Sequence, residues 1–172
     1  VLASITLVTS SNPSESHIAP LKQIANREGL SATDERLFKG NYAFLKSLVL
    51  FNNIQAQATA CRRALDLLEQ PTSLAVKQVQ WTLGCPSVFM LYHSQADKLD
   101  EEAIFLSRYI SLYNLVSGGG GTSIDAVFAA EAEMERGNFQ ASGEILDGFY
   151  DYPQSETNIA GAVLLIIYAK IK

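Results

Sequence analysis

Chemistry-bearing residues are scarce in this chain of 172 residues. Its two cysteines, Cys61 and Cys85, are too few for a disulfide framework, and reduced thiols are the expected state. Its two histidines, His17 and His93, lie far apart, and neither has the helical His-x-x-x-His or Cys/His spacing of a metal site. No metal or other cofactor is therefore expected. No Ser or Cys stands in a nucleophile-elbow context, and Gly84-Cys85-Pro86 has no His within its motif. The acidic groups Glu101/Glu102 and Glu131/Glu133/Glu135 read as solvated helix faces rather than acid/base pairs. With no catalytic residue to assign, the chain is not expected to be an enzyme.

Long apolar runs are also missing. Residues 159–169 are strongly apolar, but about 11 residues fall well short of the roughly 20 that a membrane-spanning helix needs. They read as a buried helix with one side left for a partner, and self-association through that side is expected. Residues 1–8 are apolar without the basic start of a secretion signal. No membrane role is expected, and the cytoplasm is the expected location. The sequence opens without Met and stops inside or just after its last helix, which reads as a piece of a longer protein. The glycine run within Ser117-Gly118-Gly119-Gly120-Gly121-Thr122-Ser123 lacks the Gly-Lys-Ser/Thr and the preceding strand of a phosphate loop. It reads as a connection between helices.

Charge is modest and uneven. The net charge is −5, with nine Lys/Arg against eight Asp/Glu in residues 1–100 and four against ten in residues 101–172. An acidic second half argues against direct nucleic-acid binding, because phosphate contacts need a basic patch. Nearly half of the residues (48%) are apolar, so the chain is globular rather than disordered. It is read as a single domain over residues 1–172.

What the chain does hold is a repeated helical hairpin. In residues 130–142, Ala, Glu and Met favour a helix up to residue 135, Gly137 ends it, and Asn138 starts a second one. Phe139 is expected to turn inward and close the wedge between the two, and Ala129, Ala130 and Ala132 to let a neighbouring helix come close. Similar hairpins follow a turn at Asn52-Asn53, with Ile54 as the wedge, and a turn at Ala96-Asp97-Lys98, with Leu99 as the wedge. The three wedge residues are 45 and 40 residues apart, within the range of helical solenoids and longer than the 34 of a tetratricopeptide repeat. The expected fold is all-α, a tetratricopeptide-like right-handed array of about eight helices, with hairpins near residues 39–70, 86–116 and 122–150.

In chain order, a helix is expected from about His17 to Glu28. Ser31-Ala32-Thr33-Asp34 starts another, with a possible break at Gly40-Asn41. Ile54 to Glu69 follows, then a helix after Ser87 with Phe89, Met90, Tyr92 and His93, then one from about Glu101 to Val116. Thr122 or Ser123 is expected to cap the helix that ends at Gly137, and its partner runs from about Ala141 to Phe149. An array of this kind presents a concave binding surface. The aromatic residues Trp81, Tyr92, His93, Tyr109 and Tyr113 are the candidate ligand-binding residues, because rings with a polar handle suit sugars and peptides.

Three stretches resemble a known family. Trp81-Thr82-x-Gly84-x-Pro86-Ser87-Val88, with Tyr92, Lys98-Leu99 and Glu101-Glu102, is similar to a segment of large LuxR-type bacterial transcriptional regulators related to the maltose-regulon activator MalT. Ala130-Glu131, Arg136-Gly137 and Phe139 resemble their next hairpin, and Lys46-Ser47 to Ile54 the preceding one, so the likeness covers residues 39–172. Ser142-Gly143 and Ala96-Asp97 depart from the family's Ala-Glu and Ser-Gly. The resemblance implies a parent protein with ATPase and DNA-binding domains as partners. It also implies that this region senses a small-molecule effector; a pure scaffold for a peptide or partner protein is the alternative.

Overall fold

The computed structural model describes residues 15–50, 53–75, 88–121 and 123–150. Helices account for most of them: α1 (Glu15–Ala25), α2 (Ala32–Val49), α3 (Ile54–Leu67), α4 (Phe89–Tyr92), α5 (Leu99–Ser117), α6 (Ile124–Glu135) and α7 (Phe139–Tyr150). Six are real helices of eleven residues or more, and α4 is a single turn. No strand occurs among the described residues, so the fold is all-α there. The expected final helix and the Trp81 segment lie outside the described residues.

The chain divides into two compact units. Val1–Lys77 and Ser111–Gly120 form one; Gln78–Ile110 and Gly121–Lys172 form the other. Helix α5 contributes its first twelve residues to the second unit and its last seven to the first.

In the first unit, α1 packs on α2 and α2 on α3. The starts of α2 and α3 are encoded locally. Ser31 Oγ accepts the Asp34 N–H at 3.1 Å, and Asn53 Oδ1 accepts the Ala56 N–H at 3.0 Å. The buried face of α2 is Gly40, Ala43, Phe44 and Ser47, with Leu45 beside it, a helical period. That of α3 is Ile54, Gln57, Ala60, Cys61 and Ala64. Phe44 meets the ring of Tyr113 at 5.7 Å between centroids. Burial pushes the Cys61 thiol up to about 11, although a Ser47 hydrogen bond opposes the shift, so Cys61 is a packed, protonated group.

Of the two courses the sequence leaves open at Gly40-Asn41, a break or a continuous helix, α2 takes the second. Gly40 serves packing. A Cβ there would fall 2.6 Å from Leu68 Cγ and 3.2 Å from Leu67 Cβ, so only glycine lets the end of α3 lie against α2 at this level. Glycine is about 1 kcal/mol worse than alanine within a helix, and the close approach is what offsets it.

In the second unit, α6 and α7 form the hairpin expected around residues 122–150. The turn between them is a full Schellman motif. Gly137, at φ 79°, donates its N–H to Met134 O, and Asn138 donates its N–H to Glu133 O. The same two bonds, Gly118 to Leu115 and Gly119 to Asn114, end α5.

Four local expectations are corrected. Phe139 is not the inward wedge: it is 54% exposed. The contact is made one turn later by the fully buried Ser142, whose Oγ donates to Ala130 O at 2.7 Å. A side chain that small brings the helices to hydrogen-bonding distance, which leaves no room for a ring between them at the turn. Ser123 adopts a left-handed conformation (φ 71°) and makes no side-chain cap on α6; Thr122 lies outside the described residues. Asn138 directs its side-chain N–H to Glu133 Oε2 rather than capping α7 with its oxygen. The hairpin expected over residues 86–116 is reduced on its first side to the one-turn α4, which packs on α6 through Phe89 and Phe128, 5.7 Å apart.

Candidate functional site

Four of the five residues singled out for a ligand surface fall in the described structure, and Trp81 does not. Tyr92, Tyr109 and Tyr113 are 7%, 0% and 6% exposed. Tyr92 and Tyr109 pack ring against ring in the second unit, 6.4 Å apart and tilted by 55°. Tyr113 belongs to the first unit, where burial foremost, then the neighbouring Cys61, drives its phenol well above the ordinary range. These three rings are core.

His93 is half-buried and belongs to a cluster built on the turn after α4. Its ring stacks on Phe89 at 4.5 Å, and its Nδ1 lies 2.6 Å from Glu102 Oε2. The other carboxylate oxygen of Glu102 accepts the Ser94 N–H at 2.9 Å and the Ser94 hydroxyl at 2.6 Å. Burial works against a charge on Glu102. The bonds from the Ser94 hydroxyl, the His93 ring and the Ser94 N–H outweigh it and hold the carboxyl below its usual range. Nearby, Phe89 donates its N–H to Glu131 Oε2 at 2.7 Å. Glu102 and Glu131 are thus buried anchors (6% and 4% exposed), where the sequence reading placed both on solvated faces. For Glu131 the available signal was its place among Ala129, Ala130 and Ala132, an apolar stretch.

The cluster holds a carboxylate against an imidazole, the orienting half of a general-base pair. A nucleophile would have to lie within reach of the other ring nitrogen. Among the described residues Ser94, the nearest hydroxyl in sequence, points to Glu102 instead. Among the described residues no three His, Cys, Asp or Glu side chains gather to hold a metal ion.

A concave feature not anticipated from sequence lies in the first unit. A groove of about 330 Å³ runs between the first turns of α2 and the end of α3 with the loop that follows. Leu37, Leu67, Leu68 and Pro71 give it apolar lining, and Arg36 and Glu69 bring one charge of each sign. Thr72 fixes the loop: its N–H donates to Val116 O at 2.8 Å, its hydroxyl donates to Asn41 Oδ1 at 2.5 Å, and its Oγ1 accepts the Leu74 N–H at 3.1 Å. The sequence signal for this groove is weak. Pro71 marked the end of α3, but the pairing of that end with residues 33–41 depends on the approach at Gly40.

No helix among the described residues is long and apolar enough to cross a membrane. No protein-family model, curated protein or solved structure matches the chain.

Proposed function

We propose that the chain is a non-catalytic helical interaction domain, of tetratricopeptide-like hairpins, from a LuxR-type, MalT-like regulator acting in the cytoplasm. Its occupant is a segment of a partner protein or of a neighbouring domain of the same regulator. The observation that carries this reading is where the aromatic residues went. Tyr92, Tyr109 and Tyr113 are packed in the cores of their units, while the described groove is lined by aliphatic and polar groups. Sites for small ligands are mostly apolar and aromatic, with a few placed polar groups. Grooves that take peptides combine apolar floors with charged rims.

Effector sensing is the second reading, favoured by the groove's volume in the first unit and, independently, by the half-buried His93 of the second, since an imidazole held by a carboxylate is a ready hydrogen-bonding group. A thermal-shift screen against sugars, amino acids and nucleotides separates the two. A small ligand at a hundred times its dissociation constant adds about 2.7 kcal/mol of stability. The interaction reading expects no such shift. A clear hit that His93→Ala abolishes would replace it with the sensor reading.

A further inference from the structure

The groove of the first unit has the makings of a selective site. Its apolar lining is Leu37, Leu67, Leu68 and Pro71, and Leu37 is 48% exposed. Its shape is held: Leu68 rests on α2 at Gly40, and Thr72 is tied by hydrogen bonds on three sides. Its two charges come from different walls, Arg36 from α2 and Glu69 from the loop after α3. Neither makes an ion pair among the described residues, whereas Lys39, one turn from Arg36, is already engaged by Glu35. Arg36 is therefore free to take an incoming carboxylate, and its planar guanidinium can do so with two hydrogen bonds.

The geometry points to this groove as the docking site for a short segment of a partner protein in which one aliphatic residue is flanked by an acidic and a basic residue. The aliphatic side chain covers the exposed face of Leu37 and rests on Leu67 and Leu68. The acid pairs with Arg36 and the base with Glu69, and the two opposite charges fix the direction in which the segment runs. A volume of about 330 Å³ accommodates a few residues of extended chain. A free amino acid carries both of its charges on one carbon, so it matches two charges on separate walls less well than a segment does. This inference rests on the interaction-domain reading above.

The test uses the full chain, labelled, against a peptide array in which a central leucine is flanked on each side by acidic, basic or neutral residues. The acid–leucine–base peptides are expected to bind most strongly. Arg36→Glu should weaken them roughly tenfold, the loss of about one charge-assisted contact, and move the preference toward peptides with a base in place of the acid. Leu37→Ser should weaken every peptide alike. Both positions are exposed, so unchanged circular dichroism and melting serve as the control for folding. Peptide binding that ignores Arg36→Glu overturns the groove and leaves the interaction reading standing. An array without any binding overturns the proposed segment outright, and so does a free amino acid or a second copy of the chain found as the occupant. A small-molecule hit elsewhere in the thermal-shift screen counts against the interaction reading itself.

Discussion

Replacing Glu102 by Gln isolates the charge at the centre of the α4–α5 turn. Glu102 is 6% exposed and accepts three hydrogen bonds, two from Ser94 and one from the His93 ring. Glutamine keeps the shape but removes the charge, and bonds to a charged acceptor are about twice as strong as neutral ones. Bonds to charged groups contribute about 1.5–3 kcal/mol and neutral ones about 1 kcal/mol. Ser94 is exposed, so water recovers part of the difference, and the expected net loss is about 2 kcal/mol at neutral pH. With an urea m-value of about 2 kcal/mol/M, the unfolding midpoint should fall by roughly 1 M. The loss should also be pH-dependent with a definite sign. A carboxyl whose folded pKa lies below its unfolded value, about 4.3, stabilises the fold above that value, and the contribution disappears as the pH falls through the folded pKa. The gap between wild type and variant should therefore be full at pH 7 and close below about pH 4. Faster exchange of the Ser94 amide gives the local readout. A variant within about 0.5 kcal/mol of wild type, or a gap that does not change with pH, would refute the claim that an ionised Glu102 anchors this turn.

Three further substitutions test the packing. Gly40→Ala should gain about 1 kcal/mol of helix propensity, yet lose more to the overlap with Leu68, for a net destabilisation of about 1–2 kcal/mol by urea unfolding; a stabilised variant would show that Leu68 does not rest on α2 there. Ser142→Ala removes the buried bond to Ala130 O and should cost about 1 kcal/mol, whereas Phe139→Ala, at an exposed ring, should change stability by less. The opposite order in a thermal-melt comparison would return the wedge role to Phe139.

What could be read in the sequence was what is local. The start of α2 at Ser31, the start of α3 after the turn at Asn53 and the terminating Gly137 each depend on residues within a turn or two of one another. They appear in the structure where the sequence placed them. What could not be read depends on distant partners. Gly40 left the course of α2 undecided because its reason for being small, Leu68, lies 28 residues on. Glu102 and Glu131 looked solvated because the donors that hold them, on the turn after α4 and at Phe89, come from other elements. Aromatic residues carry the largest apolar surface in the chain, and without knowing the helix contacts a sequence does not distinguish a ring that lines a ligand site from one that fills a core. Tyr92, Tyr109 and Tyr113 are buried in the structure. The groove stayed hidden for the same reason as Gly40.

The division of α5 between the two units has a consequence for synthesis on the ribosome. The first unit is discontinuous: its core includes Tyr113 and Val116, which emerge only after the whole of Gln78–Ile110 has been made. At about 5–20 residues per second those 33 residues take roughly 2–7 s. During that interval Phe44 has no Tyr113 to pack on, and the Thr72 N–H has no Val116 carbonyl to bond. The nascent first unit must wait, exposed, for a strip of helix that arrives with its neighbour. A fragment ending at Lys77 would hold the protein permanently at that stage.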